Sequence, residues 1–227
     1  MKSVKVFVPY GAVGLNCTEE AFEAGLAMKP DIISSDAGST DSGPYYLGSG
    51  HGKYSIRDVK RDLKRMVLGA DKLGIPMTIG SAGTCGSDEG VDMAYKLVCE
   101  ICEEAGIHKK IARIYSQQEA DVLKAKYREG KITALHGAPE ISEKTFDECS
   151  TIVALLGAEA YEEAFKNGAD IIIGGRSTDT AVMAAYPLMH GCDPASCWHA
   201  AKTVECGGVC TSAGLPGCVF MELDDKG

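Results

Sequence analysis

Four short stretches of this chain gather the residue types that bind anions and move protons. The most concentrated is Gly174-Gly175-Arg176-Ser177-Thr178-Asp179. The Arg176 guanidinium offers a rigid fork of donors suited to a carboxylate or phosphate. A structural salt bridge to Asp36 or Asp179 would occupy the same fork, and Asp179 could equally N-cap the helix that follows. A second stretch, Ser34-Ser35-Asp36-Ala37-Gly38-Ser39-Thr40-Asp41-Ser42-Gly43, carries two aspartates. Asp36 and Asp41 could act as a general base or hold a Mg²⁺ with waters, although aspartates in Gly/Ser-rich loops also make plain Asx turns. The third, Gly80-Ser81-Ala82-Gly83-Thr84-Cys85-Gly86-Ser87, offers Ser81, Gly83 and Thr84 as anion contacts at a helix start, with ordinary capping as the alternative. In the fourth, Tyr10-Gly11-Ala12-Val13-Gly14-Leu15-Asn16, Gly11 would let a ligand approach bare backbone. His136, in His136-Gly137-Ala138-Pro139-Glu140, is the histidine best placed for proton transfer, against a plain surface role. The candidate catalytic residues are thus Asp36, Asp41 and His136. The candidate ligand contacts are Gly11, Ser81, Gly83, Thr84, Arg176 and Asp179, and no metal ligands are assigned.

These stretches follow short apolar runs that alternate with helical patterns, the signature of βαβ units around a parallel sheet. The pattern predicts strands at 4–8, 31–35, 76–79, 111–115, 132–135, 152–156 and 170–173. Ile56, Val59, Leu63, Met66, Ala70 and Leu73 recur at three and four and predict a helix over 56–73. Ser55 with Asp58 makes a capping-box-like start, and Gly74 with Pro76 a stop. Val91, Ala94, Val98, Ile101 and Ala105 repeat the pattern up to Gly106. Further helices are expected at 119–127, 158–166, 180–189 and around 196–203. In an open parallel sheet, ligands bind outside the carboxyl ends of the strands, where the loops lead into helices. The glycine-rich loops fall there, and the long segment 38–54 is of a length often functional or mobile. The expected architecture is α/β, a mostly parallel sheet in a Rossmann-like three-layer arrangement. Residues 1–190 are expected to form the ligand-binding domain, and 191–227 the start of a further segment or second domain. Val219-Phe220-Met221-Glu222 followed by Asp224-Asp225-Lys226-Gly227 reads as a hairpin turn with its return strand missing, so the chain is expected to be a piece of a longer polypeptide.

Composition narrows the function by exclusion. The 227 residues carry 23 Lys+Arg against 32 Asp+Glu, a formal charge of −9. A pI near 5.1 leaves no cationic excess for displacing counterions from nucleic acid. Hydrophobic content of 45% with a mean hydropathy of −0.05 describes a globular chain, and no apolar run approaches a membrane span. The start of the chain reads as a strand and not a signal peptide, so its ten cysteines are expected to be cytosolic thiols. Cys99 and Cys102 lie one helical turn apart, and Cys192, Cys197, Cys206 and Cys210 do not match a compact zinc knuckle. No G-x-G-x-x-G follows the first strand, so a NAD fingerprint is absent, and no G-x-S-x-G elbow exists. Gly48-Ser49-Gly50-His51-Gly52-Lys53-Tyr54 resembles a P-loop only superficially: Leu47 replaces its first glycine and Tyr54 its Ser/Thr.

The run Gly168-Ala169-Asp170-Ile171-Ile172-Ile173-Gly174-Gly175-Arg176-Ser177-Thr178-Asp179-Thr180-Ala181 resembles the GADIVIxGRxTDxA segment of acyclic terpene utilisation proteins of the AtuA type. Val204-Glu205-Cys206-Gly207 is similar to their ECG element, and the stretch 142–157 and the order of strand-end loops are also alike. The loop 80–86 departs from the NAGGxNP-like form of many relatives, and members of the family are longer than this chain. The resemblance implies an α/β fold and genes for the catabolism of branched carboxylates or their coenzyme A thioesters. It supplies no reaction and no catalytic residues.

The leading expectation is an enzyme of lyase, hydratase or isomerase type acting on a small carboxylate or acyl-thioester. Its expected partners are the small anionic substrate and either further copies of the chain or a small partner subunit, with neither nucleic acid nor membrane. A second expectation is a non-catalytic ligand-binding or assembly subunit of a larger complex. A third is a thiol-metal protein using the four C-terminal cysteines.

Overall fold

A computed structural model describes residues 3–38, 42–212, 214 and 217–226. Its strands are β1 (Val4–Val8), β2 (Ile32–Asp36), β3 (Met77–Gly80), β4 (Ile111–Ile114), β5 (Ile171–Gly174) and β6 (Val219–Leu223). They form one sheet in the order β4-β5-β3-β2-β1-β6. The first five are parallel, and β6 runs antiparallel along β1, with Val4 opposite Leu223 and Val8 opposite Val219. The partner of 219–223 is the first strand of the chain, and β6 forms one edge of the sheet. No helix among the described residues is long and apolar enough to cross a membrane.

The helices divide between the two faces. On one face, α1 (Glu19–Ala27), α3 (Ile56–Leu73) and α4 (Asp88–Ala105) bury Phe22, Leu63, Met66, Val91 and Val98 against Phe7, Ile33, Met77, Ile79, Ile171 and Ile173. On the other, α7 (Ala158–Lys166), α8 (Ala181–Met189) and α9 (Pro194–Val204) cover Val4, Val6, Val8, Ile32 and Ile172. Alternate residues of each strand feed opposite cores, so both sheet faces are apolar and the strand runs are continuous. Burying Leu63 or Met66 contributes roughly 2 kcal/mol each by transfer. The expected caps hold α3 in place: the Ser55 hydroxyl accepts from the Asp58 amide at 3.1 Å, and Gly74 closes the helix at φ 65°. Shorter helices α2 (Tyr45–Ser49), α5 (Ala120–Arg128) and α6 (Glu143–Glu148) lie in the connections.

Two expected strands do not form. Residues 132–135 are coil, and Leu135 is 82% exposed. Without a sheet edge or helix to cover it, that four-residue apolar run has no burial to drive pairing. Residues 152–156 are extended but join no ladder. They cross beyond the carboxyl ends of β4 and β5, with single bridges from Val153 to Gln117 and from Leu156 to Ser177.

Connections β1 to β4 all pass over one face, whereas the return from β4 to β5 passes over the other. The loop leaving β3 enters α4 on the first face, and the loop leaving β5 enters α8 on the second. Adjacent strands β3 and β5 therefore send their chains apart, and the cleft of an open α/β sheet lies at such a point.

Candidate functional site

Strand register brings the polar residues together. Asp36, Gly80 and Gly174 end three neighbouring strands at one level, since Asp36 pairs with Gly80 while Ile79 pairs with Ile173. With side chains alternating along each strand, these three point to the α7–α8 face, the same face as Ser34 and Thr78. The two glycines leave room there. A Cβ on Gly80 would stand 3.0 Å from Asp36 Oδ1 and 2.3 Å from Val182 Cγ2, and one on Gly174 would strike the Tyr161 hydroxyl at 2.0 Å. Tyr161, fully buried on α7, shares a 2.6 Å hydrogen bond with Ser177 Oγ, which donates to the Gly175 carbonyl at 2.9 Å.

Asp36 is 3% exposed, accepts from the Gly38 amide at 3.1 Å, and leaves Oδ1 without a hydrogen-bond partner. Burial first, and then the charge of Asp179, pushes its carboxyl up to about 7; Arg176 and the bonds from Gly38 and Ser81 pull the other way. Arg176 is 8% exposed, donates from Nη2 to Asp179 Oδ1 at 3.0 Å, and has an unpartnered Nε. Asp179 therefore pairs with Arg176, while Thr180, the N-cap of α8, makes no side-chain cap. The Asp179 carboxyl is also raised, by burial and then by Glu205, with Arg176 opposing.

The loop after β3 is locked to the loop after β5. The Ser81 and Ala82 amides donate to the Gly175 and Gly174 carbonyls, each at 3.0 Å, and the Ser177 amide reaches Ser81 Oγ at 3.4 Å. The amide of Ser81, a residue expected to contact an anion, thus joins the loops instead. Ser81 and Thr84 adopt φ of 47° and 79°, a region non-glycine residues rarely occupy, and such strain gathers at ligand sites. Thr84 Oγ1 accepts from the Lys53 amide at 2.9 Å, so its hydroxyl proton remains to be donated elsewhere.

Beside this cluster lies a cavity of about 380 Å³, lined by Gly43, Pro44, Tyr46, Leu47, Thr84, Cys85, Val153, Leu155 and Arg176. Its size is that of a small-ligand site, and its wall is apolar except around Thr84 and Arg176. The extended segment 152–156 builds one side of it, which is why a run that reads as a strand stands outside the sheet. Asp36 is not part of the lining.

The other expected site residues fall elsewhere. Gly11 packs on the chain after α9, where an added Cβ would meet the Cys206 carbonyl oxygen at 2.3 Å. Gly83 faces Gly90 of α4. His136 is exposed in a turn outside the cluster. Asp41 lies outside the described residues. The contact at Gly11 draws in a residue to which the sequence assigned no role: Glu205, 4% exposed, with Oε1 ion-paired to Lys202 and Oε2 without a partner. An acidic residue four after Ala201, on the buried stripe of α9, is the sequence signal that marks it. Tyr161 carries no such signal, because its helical spacing from Ala158 and Ala164 is that of any core aromatic. Among the described residues no His, Cys, Asp and Glu side chains gather as a metal-binding group. Cys192 and Cys197 are buried in the second core, while Cys206 and Cys210 are exposed.

These features define the chain as an α/β protein of three-layer, Rossmann-like architecture with buried charged groups at the switch point of its sheet. A model of the acyclic terpene utilisation family protein AtuA matches residues 58–223, and the chain belongs to that family. Arg176, Asp179 and Glu205 lie inside the matched span and Asp36 outside it. No curated protein matches the chain.

Proposed function

We propose that the chain binds a small carboxylate or acyl-thioester at the β3–β5 switch point and moves a proton next to its carbonyl, as a lyase, hydratase or isomerase. The observation that carries this reading is Arg176, which lines an otherwise apolar cavity with a buried guanidinium whose Nε has no partner. A guanidinium at the end of an apolar chamber suits a ligand with an anionic or carbonyl head and a hydrocarbon arm. Thr84 donates its hydroxyl to the same head. Asp36, held near 7, is poised between its protonated and ionised forms, the condition for a general base at neutral pH. Asp36 does not line the cavity, so proton transfer requires a rearrangement around Arg176 when the ligand binds. The family's catabolic setting, implied by the resemblance above, agrees with such a ligand.

A thermal-shift panel of carboxylates and acyl-thioesters of graded chain length, with and without Mg²⁺, tests the reading. Acids with short branched arms should raise the melting temperature, and Arg176→Ala should abolish the rise. If no anion stabilises the protein, the reading fails.

A further inference from the structure

The cavity that Arg176 lines also holds a thiol. Cys17 and Cys102 are buried in the first core, and Cys192 and Cys197 in the second. Cys85 is 7% exposed but packs into neither core, and it lines the cavity with Thr84, Leu155 and Arg176. It is free of any disulfide. Backbone contacts fix it from both sides. Before it, Gly38 lets the chain close on Thr84, where an added Cβ would stand 1.7 Å from the carbonyl oxygen. After it, the Gly86 carbonyl accepts from the Arg176 amide at 3.0 Å. The turn from β3 into α4 therefore ties the sulfur and the guanidinium to one cavity. Arg176 is the independent sign of a ligand there, because it is 8% exposed and its Nε has no partner. A buried donor left open is costly unless a ligand accepts from it. Sulfur is the strongest nucleophile on this wall, and a carbonyl oxygen held by Arg176 and Thr84 would be activated towards it.

We propose that Cys85 accepts the acyl group of a thioester held at Arg176, forming an acyl-enzyme and releasing the carrier thiol. Acyl transfer rests on the reading above for a ligand at Arg176, and narrows that ligand to an acyl-thioester; it does not involve Asp36. The step balances. The Cys85 thiol gives up its proton, and a sulfur lone pair forms the bond to the carbonyl carbon. The C=O π pair moves onto oxygen, to which the Thr84 hydroxyl and the Arg176 Nε–H donate. The oxyanion re-forms the carbonyl, and the bond to the carrier sulfur breaks with its electron pair. That sulfur takes up the proton that Cys85 released. One thioester is exchanged for another, so no oxidant, reductant or further reactant enters. A free carboxylate lacks the leaving group, so it occupies the site without acylating the thiol.

Butanoyl-pantetheine is the probe. Acid-quenched protein, read by intact mass and peptide mapping, should carry the butanoyl group on Cys85 ahead of the exposed thiols Cys149, Cys206 and Cys210. An acyl-enzyme too short-lived to collect should still scramble isotope-labelled free pantetheine into the thioester, well above the rate without protein. Cys85→Ala should return scrambling to that spontaneous rate, and Arg176→Ala should slow it about a hundredfold. Melting curves separate lost chemistry from lost folding, and Cys85→Ser serves the same comparison if the alanine variant melts low. Butanoylation of the exposed thiols in preference to Cys85, or scrambling undiminished in Cys85→Ala, overturns the proposal. A thioester that raises the melting temperature without acylating Cys85 or scrambling overturns the acyl acceptor and leaves the reading of the site intact. Acylation of Cys85 with no deuterium entering the carbon beside the carbonyl from heavy water supports the acceptor and overturns the proton transfer. If neither acids nor thioesters bind and no acyl group moves, both fall.

Discussion

The amide of Arg176 donates to the carbonyl of Gly86 at 3.0 Å, across the point where the β3 and β5 loops part. Ser116 Oγ completes the seat, accepting from the same amide at 2.7 Å and donating to the Gly86 carbonyl at 3.0 Å. Gly86 sits at φ 72°, and a Cβ there would stand 2.1 Å from the Arg176 nitrogen. The clash is with backbone, which cannot rotate away. Gly86→Ala is therefore expected to cost about 3 kcal/mol or more of unfolding free energy, combining the left-handed strain with the forced shift. Urea unfolding measures it. An alanine variant of unchanged stability would show that the two loops are not locked.

The clamp makes a graded prediction. Arg176→Lys keeps the charge and loses the fork, so affinity for a stabilising carboxylate should fall about tenfold, or ~1.4 kcal/mol. Arg176→Ala should lower it about a hundredfold. It also strips the cation that steadies Asp36, so the Asp36 carboxyl should titrate higher still in that variant. Calorimetric titration with the best acid from the thermal-shift panel reads the series, and equal affinities across it would remove Arg176 from the site.

Asp36 ties stability to pH with a definite sign. Its folded value of about 7 exceeds its ordinary 3.8, so between those limits the folded chain binds more protons than the unfolded one. Stability must then decline as pH rises through that window, by on the order of 4 kcal/mol from this group. Asp179, also raised, adds to the same slope. Urea midpoints should be higher at pH 5 than at pH 8, and Asp36→Asn should remove most of the difference while stabilising the protein at pH 8. An unchanged slope in Asp36→Asn would contradict the placement of a strained carboxyl there.

What the sequence disclosed about this site follows from the range of its signals. Helix α3 was readable to its ends because the apolar stripe, the Ser55 cap and the Gly74 stop are all local. The strand ends and their glycine loops were readable for the same reason, and with them Asp36 and Arg176. The run 152–156 has a strand's composition, yet its role as cavity wall depends on where β4 and β5 end. The pairing of β6 with β1 depends on contacts more than two hundred residues apart. His136 followed from assigning a strand to 132–135, and without that strand it has no reason to approach the cluster. Glu205 was visible as a residue, but its burial depends on the chain after α9 closing on the β1 loop at Gly11.

The apolar wall predicts selectivity by chain length. Leu155 is 60% exposed and Val153 half-buried, so truncating them disturbs the core little. Leu155→Ala should weaken a four- or five-carbon acid about fivefold to tenfold, at ~1 kcal/mol for the contact area lost, and leave acetate unaffected. Competition binding across the homologous series distinguishes this from a general loss of folding, which would weaken every acid alike.

Tyr161 separates a brace from a proton path. Its hydroxyl contacts Ser177 Oγ at 2.6 Å, and burial above all raises it well above the usual phenol range, so it stays protonated at any working pH. A permanently protonated phenol donates, and Ser177 in turn donates to Gly175, so the pair fixes the backbone from which Arg176 projects. Tyr161→Phe removes one buried donor and leaves Ser177 its bond to Gly175, so the loss should be about 1 kcal/mol of stability. Acid binding should weaken only as far as Arg176 becomes less well held, within about threefold. The pH profile of turnover should keep its shape, because no group of the path titrates. A Tyr161→Phe variant as stable as the parent but with a displaced pH profile would instead make the phenol a carrier of the proton that Asp36 handles.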